Sequence, residues 1–262
     1  MPVVRIDRLA DVRLDDYRRM SDADLLRRRN LFVAEGRLVV GRVIQLGLRV
    51  VSVLVNEASW RALEAAFARL PADVPVYLCE KDDFASLTGF NLHRGCLALA
   101  ERPLDRAAGA VIEGCNRLLI LESVADPDNV GSAFRNAAAF GSGVLMSPAC
   151  CDPLYRKAIR TSMGSVLRTQ YARLDDWPGG LDTVKAAGFT IVALTPRADA
   201  VDLSSCARFA KPALLVGTEG SGLTTAAEQL ADVRARIPMA DGVDSLNLAT
   251  ATGIALHYFS RG

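Results

Sequence analysis

The chain has 262 residues, 50% of them hydrophobic, with 31 Lys and Arg against 30 Asp and Glu and a formal net charge of +1. That suffices for two modest domains or one large one, while the near-neutral balance excludes a whole-chain basic footprint, so any nucleic-acid contact must come from local patches. The longest apolar runs, Val50 to Val55 and Ala213 to Val216, are strand-sized and exclude a bilayer span, and the Arg/Asp mixture of the first twenty residues lacks a signal-peptide core, so a cytoplasmic protein is expected.

In chain order, Asp22 to Asn30 reads as a helix whose Arg27, Arg28 and Arg29 form either a solvated face or an RNA contact, and Phe32 to Leu46 has helical apolar spacing. A β-rich run at Val50 to Val55, a helix at Ala58 to Leu70 and a second β run at Val76 to Cys79 follow. A short helical patch, Asp82 to Thr88, precedes a third strand at Gly95 to Ala100. Charge, Pro103 and small residues mark Glu101 to Ala110 as a linker, which closes a small α/β module over 1–104.

From Arg117 the pattern restarts, within a second domain expected over 111–262. Strands are expected at Leu118 to Leu121, Gly143 to Met146, Thr190 to Leu194 and Ala213 to Val216. Helices are expected at Val130 to Phe140, Pro153 to Gly164, Leu181 to Ala187, Ala226 to Gln229 and from Ser245. Alternation of strand and helix predicts an α/β fold with a mostly parallel sheet, whose ligands bind at the carboxyl ends of the strands.

Three polar, glycine-containing segments sit where such a fold presents functional loops. In the first, Asp126-Pro127-Asp128-Asn129-Val130-Gly131, Asp128 or Asn129 caps a helix buried along Val130, Ala133, Phe134, Ala137 and Ala138. Arg135 falls off that stripe, either solvated or facing a phosphate or ribose. The second, Val216-Gly217-Thr218-Glu219-Gly220-Ser221-Gly222-Leu223, sets one carboxylate among three glycines after a buried strand, either as a tight turn or as a wrap for a flat ligand. It lacks the Lys-Ser/Thr ending of a phosphate loop, and it does not open a first βαβ unit as a dinucleotide fingerprint does.

The third segment, Ile237-Pro238-Met239-Ala240-Asp241-Gly242-Val243-Asp244-Ser245-Leu246-Asn247, fixes an irregular loop. In it Ser245 caps the closing helix, and Asn247 has nothing evident to cap. Small residues along Ala249, Ala251, Thr252, Gly253 and Ala255 allow close approach of another helix or subunit.

His93 and His257 lie outside these loops, which leaves no Ser-His-Asp arrangement and no His-based metal site. The six cysteines, Cys79, Cys96, Cys115, Cys150, Cys151 and Cys206, contain no C-x-x-C pair and read as reduced, small hydrophobes, so no metal is expected.

The order D-P-D-N-V-G-x-x-x-R-N-A, G-T-E-G-S-G-L and I-P-M-x-x-x-V-D-S-L-N-L-A resembles the three signature motifs of the SpoU/TrmH family of knotted RNA 2'-O-ribose methyltransferases, the SPOUT class. The resemblance covers Leu118 to Tyr258, including Lys157-Ala158-Ile159-Arg160-Thr161-Ser162-Met163-Gly164-Ser165. Upstream, Phe32-Val33-Ala34-Glu35-Gly36 and the module to Glu101 are similar to the RNA-binding domain preceding many members.

This resemblance implies a C-terminal trefoil knot, a homodimer with active sites at the subunit interface, and S-adenosylmethionine as methyl donor. It implies that Gly217, Ile237 and Leu246 hold the cofactor by their backbones, with Thr195, Glu219, Gly220 and Met239 lining the pocket. The polar set it assigns to catalysis is Asn129, Arg135, Glu219, Ser245 and Asn247. The implied partner is RNA: ribosomal RNA of the 23S type first, because the extra module offers a second grip on a folded substrate, then transfer RNA. A catalytically silent RNA-binding protein is the remaining alternative, and it would be expected to lack Arg135, Glu219 or Asn247. Two positions depart from the family pattern: Asn136 replaces the more usual hydroxyl residue, which puts substrate preference in question, and His93-Arg94-Gly95-Cys96 replaces a Pro-Gln-Gly run.

Overall fold

The computed structural model describes residues 2–6, 10–18, 21–80 and 95–260. The chain divides into two compact units, Met1–Leu104 with Leu154–Leu167, and Asp105–Pro153 with Arg168–Gly262.

The first unit opens with β1 (Val3–Arg5), a 3-10 turn Val12–Tyr17, and the single turn α1 (Asp22–Asp24), which runs into a π-turn Leu25–Arg29. It continues through β2 (Leu31–Glu35), α2 (Arg37–Gln45), β3 (Val50–Val55), α3 (Glu57–Phe67), β4 (Val76–Leu78) and β5 (Cys96–Glu101). Its five strands order as β1-β4-β3-β5-β2, with β5 antiparallel to both neighbours and the other pairs parallel.

The helix expected over 32–46 is therefore a strand and a helix. Leu31, Phe32, Val33 and Ala34 are all buried, and an apolar run covered on both faces of a sheet reads like one turn of a buried helix. Gly36, at φ +89°, turns the chain between the two. Arg28 and Arg29 of the exposed triple-arginine turn pair with Asp24 and Asp16 at 3.2 and 2.9 Å. The expected patch at 82–88, together with His93 and Arg94, lies outside the described residues.

The second unit carries α4 (Ala108–Glu113), β6 (Leu118–Leu121), α5 (Pro127–Ala139) and β7 (Gly143–Met146). After the excursion containing α6 (Arg156–Thr161) come β8 (Tyr171–Arg173), α7 (Leu181–Ala186), β9 (Thr190–Leu194) and β10 (Val201–Asp202). The unit ends with β11 (Pro212–Val216), α8 (Thr225–Gln229), β12 (Val233–Arg236) and α9 (Leu248–Ser260). Seven strands, every pair parallel, order as β10-β12-β9-β11-β6-β7-β8. Leu118, Ile120, Leu145, Ile191, Ala193, Ala213 and Leu215 pack one side of the sheet against Val111, Leu181, Val184 and Ala227.

The stretch 154–167, expected within the second domain, groups with the first unit. Three contacts hold it there: the Asp22 carboxylate accepts the Arg156 N–H at 2.8 Å, Arg160 reaches Glu35 at 3.5 Å, and Arg42 donates to the Met163 carbonyl. Its helix spans only Arg156–Thr161, because Met163 and Gly164 adopt φ +54° and +74°. Among the described residues, no helix is long and apolar enough to cross a membrane, and no three His, Cys, Asp or Glu side chains gather as a metal site.

Candidate functional site

The expected loops all leave the carboxyl ends of neighbouring strands. Residues after β9, β11 and β12, which lie side by side in the sheet, join the start of α9 to enclose a cavity of about 420 Å³. Its walls are Leu194, Val216, Ile237, Met239, Leu246, Leu248 and Ala251 on the apolar side. Thr195, Gly217, Thr218, Gly220 and Gly222 supply the small residues, and Glu219, Ser245 and Asn247 supply the polar side chains. Each residue expected at the cofactor thus stands in the lining.

The glycine loop owes its shape to two different properties of glycine. Gly220 and Gly222 sit at φ +91° and +70°, where an L side chain is strained. Gly217 instead permits close approach, since a Cβ there would lie 2.2 Å from the Gly222 carbonyl carbon and oxygen. The Gly222 N–H donates to the Thr218 carbonyl at 3.0 Å and closes the loop on itself.

Asn247 proves to be the cap of α9, which begins at Leu248 rather than near Ser245. Its Oδ1 accepts from the Ala249 N–H at 2.9 Å and the Thr250 N–H at 3.4 Å, while its carbonyl accepts from the Ala251 N–H at 3.0 Å. Capping uses only the oxygen of the amide. The nitrogen is free to donate to Glu219 Oε1 at 2.8 Å and to Asn129 Oδ1 at 3.3 Å. Three loops distant in sequence therefore meet through one amide, with Asn129 buried in α5 and Glu219 and Asn247 exposed at the mouth.

The helix carrying Asn129 starts earlier than expected, at Pro127, and its cap is Asp126, whose carboxylate accepts the Asp128 N–H at 2.7 Å. Pro127 occupies the first turn, where its missing N–H costs nothing. Val130, Ala133, Phe134 and Ala137 are buried, and Arg135 is exposed on another side of the helix and is not among the residues lining the cavity. Ser245 is exposed in the lining and caps no helix. Asn136, the departure from the family pattern, donates its amide to the Ala249 carbonyl at 2.7 Å and so clamps α5 to α9, a packing role.

One residue of this region escaped sequence reasoning: Glu122, just past β6, is 1% exposed, and its carboxylate accepts from Trp177 Nε1 at 2.7 Å and from Thr224. A charged residue directly after the four apolar residues of β6 was the available signal. His257 is exposed, with its ring 5.7 Å from that of Phe140, and takes no part in the site.

Known proteins resemble this chain along most of its length. An uncharacterized tRNA/rRNA methyltransferase of Mycobacterium tuberculosis is 40% identical over 259 residues, 96% of this chain and 89% of its own length. The 23S rRNA (guanosine(2553)-2'-O)-methyltransferase RlmP of Bacillus subtilis is 25% identical over 265 residues, covering 98% of this chain and 99% of its own. The crystal structure of an AdoMet-bound rRNA methyltransferase from Sinorhizobium meliloti matches with a TM-score of 0.83 and 26% identity, over 99% of this chain and 98% of that one. A model of the SpoU rRNA Methylase family matches residues 116–257, the span that holds every loop of the cavity. By that match and the 40% relative, the chain belongs to the SpoU rRNA methylase family.

Proposed function

We propose that this protein methylates a ribose 2'-hydroxyl of ribosomal RNA of the 23S type, using S-adenosylmethionine, in the cytoplasm. The reading rests on one observation above all, the hydrogen-bonded Glu219–Asn247–Asn129 cluster at the mouth of a mostly apolar cavity on the carboxyl ends of parallel strands. Apolar walls, a glycine-rich side and a single carboxylate fit a flat nucleoside that carries a cationic sulfonium. When bound, the cofactor would supply an already electrophilic methyl group, so the chain's own residues have mainly to position the acceptor hydroxyl and let its proton leave as the oxygen is methylated.

Gly217, Ile237 and Leu246 hold the cofactor by their backbones, and Thr195, Gly220 and Met239 close around it. Asn247 orients the Glu219 carboxylate, and Asn129 fixes the Asn247 amide from its buried side. Ser245 contributes a hydroxyl at the rim to hydrogen-bond the ribose. Arg135, a guanidinium that stays protonated, holds the RNA phosphate and the negative charge developing on the sugar oxygen.

Arg135 is exposed and absent from its own chain's cavity lining, which supports a homodimer in which a second copy presents it to the site. The sheet order, in which β11 and β12 enter on either side of β9 before α9 packs on α5, supports the family's knotted path for the C-terminal half. The first unit supplies a second grip on RNA, and the full-length match to the Bacillus subtilis 23S rRNA enzyme favours a ribosomal substrate.

The test is methyl transfer from S-adenosylmethionine to isolated ribosomal and transfer RNA, with the product mapped by alkaline hydrolysis, because a 2'-O-methyl blocks cleavage at its own nucleotide. A methyl group found on a base would overturn the assignment, and one found only on transfer RNA would overturn the substrate. Within the same assay, Arg135→Lys reports on the guanidinium: near-normal rates exclude any need for its planar fork.

A further inference from the structure

Glu122 takes no part in the roles given above, yet it is 1% exposed and placed between the two ends of the glycine loop. Its backbone N–H donates to the carbonyl of Val216, the residue before Gly217, at 2.9 Å. Its Oε2 accepts the Thr224 N–H at 2.8 Å, and its Oε1 accepts the Thr224 hydroxyl and Trp177 Nε1, both at 2.7 Å. Val216 and Thr224 bracket the loop 217–223. A single residue therefore fastens both ends of the segment that contributes Gly217, Thr218, Glu219, Gly220 and Gly222 to the cavity.

The three groups that donate to this carboxylate are all uncharged. Removing a carboxylate from water is expensive, and an apolar side chain of similar size would pack without that penalty. What the apolar residue would not do is hold Thr224, which in turn caps α8 by accepting the Ala227 N–H at 3.2 Å. Between its fastened ends the loop contains glycines at positive φ, and its internal closure is the Gly222–Thr218 bond, so its curvature depends on where the ends are set.

We infer that Glu122 is a positioning residue for cofactor binding: by fixing Val216 against Thr224 it preorganises the glycine loop, and with it Gly217 and Glu219, for S-adenosylmethionine. This rests on the cofactor reading above. Preorganisation acts on affinity, because a loop already in its bound shape has less ordering to do on binding.

Isothermal calorimetry of the full chain with S-adenosylhomocysteine, together with steady-state methylation, tests it. Glu122→Gln keeps the size but sets an amide N–H against a donor, and is expected to raise Kd and the KM for S-adenosylmethionine by about tenfold while kcat at saturation stays within about threefold. A wild-type Kd in folded Glu122→Gln refutes the inference, as does a fall in kcat with KM unchanged. Should that variant fail to fold, Thr224→Val, which loses the hydroxyl donor and the cap, is expected to bind several-fold more weakly, and Thr224→Ser to bind like wild type; equal affinity of all three proteins overturns the proposal. Absence of any heat with the wild-type chain brings down the cofactor reading itself, a result distinct from unchanged affinity in the variants.

Discussion

Asn247 performs two tasks with one amide, and substitution separates them. Replacement by Ala removes the cap of α9, worth about 1 kcal/mol, and the bond to Glu219, which is exposed and so counts for only about 0.5 kcal/mol. Replacement by Ser keeps a capping oxygen but is too short to reach the Glu219 carboxylate that Asn247 contacts at 2.8 Å. Asn247→Ala should therefore lose about 1.5 kcal/mol and Asn247→Ser about 0.5 kcal/mol. For a unit of this size the variants should differ by roughly 2–4 °C in Tm. Methyl transfer should fall in both by about tenfold or more, since each leaves Glu219 unoriented. Scanning calorimetry reads the first effect and incorporation of labelled methyl into RNA the second. Equal Tm values would refute the cap, and wild-type methylation by Asn247→Ser would refute the cluster as the seat of activity.

Gly217→Ala drives a methyl group into the Gly222 backbone at 2.2 Å and should weaken S-adenosylhomocysteine binding by about tenfold. Gly220→Ala meets nothing within 4 Å and adds only the strain of φ +91°, so it should lose less affinity than Gly217→Ala; equal losses would remove the steric argument. Burial raises the Asp22 carboxyl above its ordinary 3.8, against the opposing effect of the Arg156 N–H. An acid raised in this way favours the folded state below its ordinary value and loses that contribution as pH climbs through the folded one. Asp22→Asn, which keeps an acceptor for Arg156, should thus exceed wild type in Tm near pH ~7 and match it near pH ~3; a gap independent of pH would contradict this. Desolvation pushes the Cys96 and Cys151 thiols up to about 12, so Ellman's reagent at about pH 8 should leave both unmodified in the native protein, and rapid labelling of either would contradict these upward shifts.

The sheet of the second unit was legible because its central strands, such as Leu118–Leu121 and Pro212–Val216, are apolar on both faces and are separated by glycine-bearing loops. Strand β12 was not: in Val-Arg-Ala-Arg the arginines answer Asp199 and Asp202 at 3.2 and 2.6 Å, a pairing that no local pattern announces. The short β1, β8 and β10 were missed because two or three residues carry no period. At the site, the motifs marked the right loops, but caps were misassigned by two or three residues. Asp126 lies before a proline that belongs to the helix, and Asn247 looked idle because Ser245 is an equally good cap by type. The buried glutamate escaped because its three donors come from residues 55 and 102 positions away.

The clamp between Asn136 and the Ala249 carbonyl reaches beyond the two helices it joins. Gly253, one turn further along α9, faces the same amide, and a methyl group there would come within 3.3 Å of Asn136 Nδ2. The long side chain on one helix and the missing one on the other are complementary shapes. A shorter hydroxyl at 136 would leave a notch that alanine at 253 fills, whereas either change alone alters the spacing of the helices that carry Asn129 and Asn247. Substitutions at these two positions should be inherited together, like a key and its lock.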